Sequence, residues 1–505
     1  MATWLKESVG GYFDNPVATR DLRVHFRNGR IVILLVLYAL FVSLMAQLSI
    51  GNIQSYPGSI ASAQRELVTA YFSLTGLIFG LVSLVSAMSA AFSVVSERQR
   101  KAMDLVFSAP FSARRYVLGK VISGVRYSAI LIAMSLPAMA ALVVAGGATT
   151  LDVLLHCALI LASSTFFTAV GVAFASYAKN FIAPLAMTLV VAFVWSVTLL
   201  TLSQSLRVVS SISAPSVVPT AFPFVSCLGL LTPGLGAVSP TQPVQVYGFT
   251  TQAWIPALVV VLLAIRFAIV AATTGLEFPI GKAARTLRVH GLVYVFVLGL
   301  IIAAAIVPPT SSFGDMYQYS QLASRIFAPV LITTLYTAPF GSDRMNQPPD
   351  RTAFTFKKIL WPYSTNALAY GLLLCAAWWV PFLALASHAR NGIGLTFIFH
   401  SCLITGFFVA LLRCYSHLTK TTEKAKGFLV LTLLFMVALS VGFAGDGTAL
   451  RLVQEGSFSV YDLALIRPWL GYTQDSFNFL PVHLILLSVA TATLFYAAEK
   501  RSRRG

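Results

Sequence analysis

Residues 97–120 read ERQRKAMDLVFSAPFSARRYVLGK, a charged and aromatic segment held between two long apolar runs, residues 68–95 and 121–145. About 20 apolar residues in a helix are enough to cross the hydrocarbon core of a bilayer. Each flanking run is therefore a candidate span, and the segment between them lies at the membrane surface. Continuous apolar runs of this length predict helices, because hydrocarbon offers no partner to an open backbone; barrel strands would alternate in polarity and be about half as long. The whole chain agrees: 57% of its 505 residues are hydrophobic, 10% are charged, and the mean hydropathy is +0.81. The expected fold class is all-α, a polytopic transmembrane helical bundle.

Twelve candidate spans follow from the apolar runs. The first six are 31–50, 68–95, 121–145, 151–177, 182–202 and 253–274. The second six are 290–307, 323–341, 366–387, 395–412, 427–445 and 479–498. Cytoplasmic loops carry an excess of Lys and Arg. With the N-terminus inside, 27 of the 35 basic residues fall on the inner side. Six (Arg65, Arg207, Arg325, Arg390, Arg451 and Arg467) fall on the outer side, Arg325 at the outer end of the 323–341 span, and Arg126 and Arg266 lie within spans. This asymmetry predicts twelve spans with both termini cytoplasmic. It also accounts for the formal charge of +18 without nucleic acid, since the cations are spread over seven inner segments facing anionic lipid.

Other function classes leave no matching pattern. The five cysteines contain no CxxC, and Cys157, Cys375 and Cys402 lie in spans, so neither a disulfide framework nor a metal site is expected. The seven histidines are scattered, with no HExxH, which argues against a membrane enzyme. All 17 acidic residues fall in loops or at span ends, Asp152 and Glu277 lying closest to a span. That weighs against a proton-coupled carrier, although a secondary or facilitative twelve-span transporter is the alternative function. The first 30 residues are too polar for a signal peptide, so the first span is expected to be retained.

Those first 30 residues form a separate amphipathic element. Asp14 or Asn15 can cap a helix whose first turn suits Pro16, and Ala18, Leu22 and Phe26 recur every four residues. Arg20, Arg23, Arg27 and Arg30 line another part of the cylinder, where the helix can lie in the interface with its guanidiniums on lipid phosphates. A generic juxtamembrane anchor would look the same. In the opening segment, Glu97 precedes Lys101 by four residues, and Arg98 and Arg100 mark the membrane boundary. Leu105, Val106 and Phe107 lead to Pro110, which breaks the helix, followed by Phe111 and Ser112, which can cap its restart. Arg114, Arg115, Gly119 and Lys120 open the next span. An apolar tip rimmed by cations suits a groove on a soluble partner. An ordinary basic loop is the plainer reading.

In order, Glu97, Leu105, Pro110, Ser112, Gly119 and Lys120 resemble the loop between the second and third spans of ABC exporter permeases of the second type. Asn15, Pro16 and Val17, with Arg20–Asp21–Leu22–Arg23, resemble the amphipathic connecting helix that precedes the first span in that family. The resemblance covers about residues 12–280; Ala102–Met103 replaces the family's Gly-Thr. It implies a non-enzymatic transport subunit of the bacterial cytoplasmic (inner) membrane. Six spans make one half-transporter, and a separate ABC ATPase subunit, which holds ATP and Mg, docks on the coupling segment. No cofactor is then bound by this chain, and a further permease subunit is a candidate partner.

Twelve spans imply more than one such half. Residues 31–280 form a six-span permease half, and residues 281–505 are the expected second half, a degenerate repeat. Pro362, Ser364 and Gly371 repeat the spacing of Pro110, Ser112 and Gly119 and form a candidate second coupling element. No phosphate-binding loop of the form GxxxxGK[ST] occurs in the chain; the nearest stretch, at Gly275–Lys282, has Ala283 where a hydroxyl is needed. ATP, if it drives transport, must bind another subunit.

Overall fold

A backbone in hydrocarbon can satisfy its polar groups only within its own helix, and the apolar runs of this chain fold accordingly. The computed structural model describes residues 15–26, 29–54, 60–100, 112–177, 240–241, 243–246, 249–276, 281–306, 367–386 and 395–419. It also describes isolated positions at 182, 184–185, 188–189, 489 and 492–494. The helices are α1 (Pro16–Phe26), α2 (Gly29–Gln54), α3 (Ile60–Gln99), α4 (Ala113–Val144), α5 (Thr150–Tyr177), α6 (Trp254–Leu276), α7 (Gly281–Ile306), α8 (Ala367–Ala386) and α9 (Leu395–Thr419). Two short strands, β1 (Pro243–Val246) and β2 (Phe249–Gln252), pair just before α6. The all-α expectation missed this hairpin.

Among the described residues, five helices are long and apolar enough to cross a membrane, namely those at Val32–Gly51, Ala63–Gln99, Ala113–Val144, Thr150–Tyr177 and Trp254–Leu276. They answer to the first four expected spans and the sixth. Expected spans at 290–307, 366–387 and 395–412 fall on α7, α8 and α9. Those at 182–202, 323–341, 427–445 and 479–498 lie largely or wholly outside the described residues. Helices α3 and α4, at 40 and 32 residues, exceed what the bilayer requires. At 1.5 Å per residue they extend about 60 and 48 Å, against a hydrocarbon core of about 30 Å. Part of the surplus lies in the opening segment itself: residues 97–99 continue α3, and residues 113–120 already belong to α4.

The chain divides into two compact units, the first containing α1–α6 and the second α7–α9. In the first, α3 and α5 run side by side in the same direction, since Tyr71 meets His156 near one end and Ala87 meets Gly171 further along. Small residues permit the approach: a Cβ on Gly171 would sit 2.7 Å from the carbonyl oxygen of Ala87. Helix α4 runs the opposite way, with Gly124 against Thr168 and Met139 beside Cys157. Pro137 falls inside α4 without ending it. Helix α6 closes on α5 through Gly275 at Ser176 and through Tyr177, whose hydroxyl contacts Thr274 Oγ1 at 2.5 Å. Helix α2 buries only a thin stripe, including Leu35, Val42 and Ala46, and presents Ile33, Leu37, Leu40 and Leu44 outward.

At the end of this unit away from α1, Tyr71 OH lies 2.8 Å from His156 Nδ1, which is also 3.0 Å from the Asp152 carbonyl oxygen. The Asp152 carboxylate accepts from Thr149 and Thr241 at the start of α5. In the second unit, Tyr370 donates to the carbonyl of Arg288 at 2.8 Å while the Arg288 guanidinium lies 4.9 Å from the centre of its ring. Trp378, Trp379 and Phe382 fill the contact surfaces of α8, and Cys375 Sγ lies 3.0 Å from Thr405 Oγ1 of α9.

Replacing Gly171 with Ala should force α3 and α5 apart and cost about 1–3 kcal/mol, the usual penalty for overpacking. Gly80→Ala, on the open side of α3 with nothing within 4 Å, should cost nothing and raise stability by up to about 1 kcal/mol, since alanine is the better helix former. Thermal unfolding in detergent checks both; equal midpoints for the two variants would contradict the close approach.

Candidate functional site

The junction of α1, α3 and α4 gathers most of the charged residues picked out from the sequence. Helix α1 begins at Asn15, whose Oδ1 accepts from the Val17 amide at 3.0 Å, while Pro16 takes the first helical position and needs no donor there. The same Asn15 side chain donates through Nδ2 to the Arg115 carbonyl at 2.8 Å. One residue thus starts α1 and staples it to the first turn of α4. Ser112 starts α4 in turn: its backbone is extended, and its Oγ accepts from the Arg115 amide at 3.3 Å.

Gly119 allows the two helices to touch. A Cβ there would lie 2.7 Å from Asn15 Oδ1 and 2.8 Å from Val17 Cβ. The face of α1 that packs inward is Val17, Ala18 and Asp21, together with the cap Asn15. The Asp21 face of α1 is buried in protein, and Arg20, one of the guanidiniums expected on lipid phosphates, pairs with Glu97 and Asp21 while staying half exposed. Arg23 is exposed, while the side chain of Leu22 and residue Arg27 lie outside the described residues.

Lys120 is the centre of the site. Its side chain is 1% exposed, and its ammonium donates to Asp21 Oδ2 at 2.6 Å, Ser93 Oγ at 2.5 Å and Glu97 Oε1 at 2.9 Å. The Tyr116 hydroxyl donates to the other Glu97 oxygen at 2.6 Å, and the Tyr116 ring stands 5.4 Å from the ammonium. Three helices therefore contribute to one neutral set of two cations and two carboxylates. Burial pulls the Arg20 pKa down, but Glu97 and Asp21 more than reverse this and leave it raised above its ordinary value. Arg20 therefore stays charged at any physiological pH.

This geometry changes the standing of several expected coupling residues. Glu97 was read as a helical partner of Lys101 and as part of the docking face; its carboxylate points inward to Lys120, Arg20 and Tyr116, and Lys101 lies outside the described residues. Gly119 and Lys120 are likewise buried rather than presented to a partner. Ser112, Arg100, Arg114 and Arg115 are exposed on the same end, and Arg98 is half-buried. Leu105, Phe107, Pro110 and Phe111 lie outside the described residues, as do Pro362 and Ser364. Gly371 is described and buried, and a Cβ on it would approach Thr405 of α9 at 3.1 Å. It shares with Gly119 a helix crossing, although its neighbour is the following helix and not an N-terminal one. Sequence reasoning missed Ser93 and Tyr116, and it names Asp21 only within the Arg20–Arg23 motif, not as a partner of Lys120. Asp21 alone left a signal, an acid within an otherwise basic amphipathic helix.

Residues 25–195 match the family model described as ABC-2 family transporter protein. That match supports an ABC-2 type permease. It spans α2 to α5 and takes in the whole 97–120 segment, so the Glu97 and Lys120 ends of the ion cluster lie within the matched region, with Asp21 just before it. Among curated proteins, none matches the chain. The match and the five helices long and apolar enough to cross a membrane among the described residues together support a multi-pass membrane protein of transporter type.

Removing one member of a buried charge set typically costs about 3–5 kcal/mol, because its partners are left desolvated. Lys120→Met should lower the thermal midpoint of the protein sharply, whereas Lys120→Arg should recover part of the loss. Combining Lys120→Met with Asp21→Asn should cost at least ~1 kcal/mol less than the two changes summed. Strict additivity in that double-mutant cycle would dissolve the claimed pair.

Proposed function

We propose that this chain is the membrane-spanning permease of an ATP-binding-cassette exporter in the bacterial inner membrane, driven by ATP hydrolysed on a separate subunit. The family match supports the permease reading, and the ion cluster supports the mechanism. A docking ATPase would press on the segment between α3 and α4, where Arg100, Arg114 and Arg115 are exposed and the sequence at 105–111 offers Leu105, Val106, Phe107 and Phe111 as apolar anchors. Displacement of that segment would not stop at α3 and α4. Asn15 and Asp21 tie α1 to the start of α4, and α1 leads within three residues into the first span. In this scheme one push reorients α2, α3 and α4 together, and twelve spans with both termini cytoplasmic place the cluster on the side where ATP is available. The second six-span half, with Pro362, Ser364 and Gly371 as its coupling element, either docks a second ATPase copy or completes the path passively.

The absence of a phosphate-binding loop from the chain makes the partner a requirement of the proposal. The test replaces Phe107, Phe111 and Arg115 with Asp in the full chain, expressed with a candidate ATPase subunit that carries a Walker motif. Apolar anchors and cationic rim are both reversed, so the ATPase should no longer co-purify and permease-stimulated hydrolysis should fall at least ~10-fold, about 1.4 kcal/mol of coupling. Undiminished co-purification and stimulation would sink the coupling role of this segment.

A further inference from the structure

Helix α6 carries a cation in the middle of a face that is otherwise suited to hydrocarbon. Ala257, Val260, Ala264, Ala268 and Ala271 are buried, and the opposite stripe presents Ile255, Val259, Leu262 and Arg266, all exposed, at helical spacing. Arg266 stands twelve residues from Trp254 and ten from Leu276, about 18 and 15 Å along the axis. At about 1.5 Å per bond an extended arginine side chain reaches roughly 7 Å, so its head falls short of either end of the helix. No hydrogen bond or ion pair joins Arg266 to another described residue. The described carboxylates of this unit, Asp21, Glu66, Glu97 and Asp152, lie on α1, α3 and α5, none of them on α6. Ionisable groups at such depth are unfavourable against lipid tails and are found facing water-filled cavities or charged partners.

We propose that the Arg266 face of α6 borders a water-filled path and that Arg266 is its anion-binding contact, taking a phosphate, carboxylate or sulfate group. The inference rests on the permease reading and deepens it by naming a substrate class: molecules that bear an anionic group. A guanidinium suits this role because its planar donors meet two oxygens of such a group at once. The same chemistry is offered by a soluble anion and by a phospholipid headgroup.

The experiment uses the full chain in phosphatidylcholine vesicles, with Cys157, Cys227, Cys375, Cys402 and Cys414 changed to Ser and Leu262→Cys added one turn from Arg266. Two membrane-impermeant methanethiosulfonates are compared, one carrying a sulfonate and one a trimethylammonium. Both should label the introduced thiol, the anionic reagent about tenfold faster, as a single charge at this range and an intermediate dielectric would produce. Arg266→Gln should erase that preference, and Arg266→Lys should keep it. Inorganic phosphate should slow the anionic reagent if the anion is soluble; slowing only in vesicles that contain phosphatidylglycerol assigns the site to a lipid headgroup. Labelling by N-ethylmaleimide alone, or a preference unchanged by Arg266→Gln, overturns the proposal. Should the serine background fail to fold, Val259→Cys in the chain with its native cysteines, scored against the unaltered chain, gives the same reading. Neither arm involves the ATPase, so this result and the docking test fail independently.

Discussion

The Lys120 ammonium, enclosed by Asp21, Ser93 and Glu97, is the interaction around which the first unit is arranged. Apolar helices in a bilayer slide and rotate against one another with little penalty, because lipid tails are as accommodating as leucine side chains. A buried cation is different, since only one placement of its neighbours satisfies it. A carboxylate from α1 and another from α3 must converge on one atom of α4, and that convergence fixes the register of three helices at one end. Setting register is the best-attested use of buried ion pairs, whose net contribution to stability is often small. Gly119 and the Asn15 staple are subsidiary to it, bringing α1 close enough for Asp21 to reach.

The two ends of the first unit are held by different means. Near α1 the joint is ionic and involves three helices. At the far end it is uncharged: the Tyr71 hydroxyl and the Asp152 carbonyl oxygen both lie within hydrogen-bond reach of His156 Nδ1. Between them lies a contact made by small residues, Gly124, Ala87 and Gly171, which give no directional bonds but permit close dispersion contact along the helices. The ion cluster thus sits where the 97–120 segment meets the helices, whereas the α3–α5 contact midway along the bundle is made by shape.

Much of this was legible in the residues. Span positions followed from unbroken apolar runs, and the Ser112 cap and the Asn15–Pro16 start followed from local chemistry that needs no tertiary context. The inward turn of Glu97 was not legible. Spacing to Lys101 offered a local partner, and only the packing of α1 shows that Lys120 and Arg20 compete for the same carboxylate. Helix ends were misjudged for a related reason: hydropathy sees where a helix enters hydrocarbon, not where its hydrogen bonds stop, so the polar turns of α3 and α4 were left out of the spans. The pairing of Arg20 with Glu97 and Asp21 was not legible either, because amphipathicity reports that a face is polar without saying what answers it.

Pro137 gives α4 an uneven stiffness. A proline within a helix leaves the carbonyl four residues earlier, here Ala133, without its amide donor, and its ring crowds that turn. From Ala113 to Pro137 the helix is an uninterrupted rod of about 36 Å, anchored at its base by Lys120. Beyond Pro137, its last two turns are attached through a softened joint. A tilt at the base therefore reaches the joint undiminished, while the segment past it is free to keep its own orientation, as the tip of a jointed lever does.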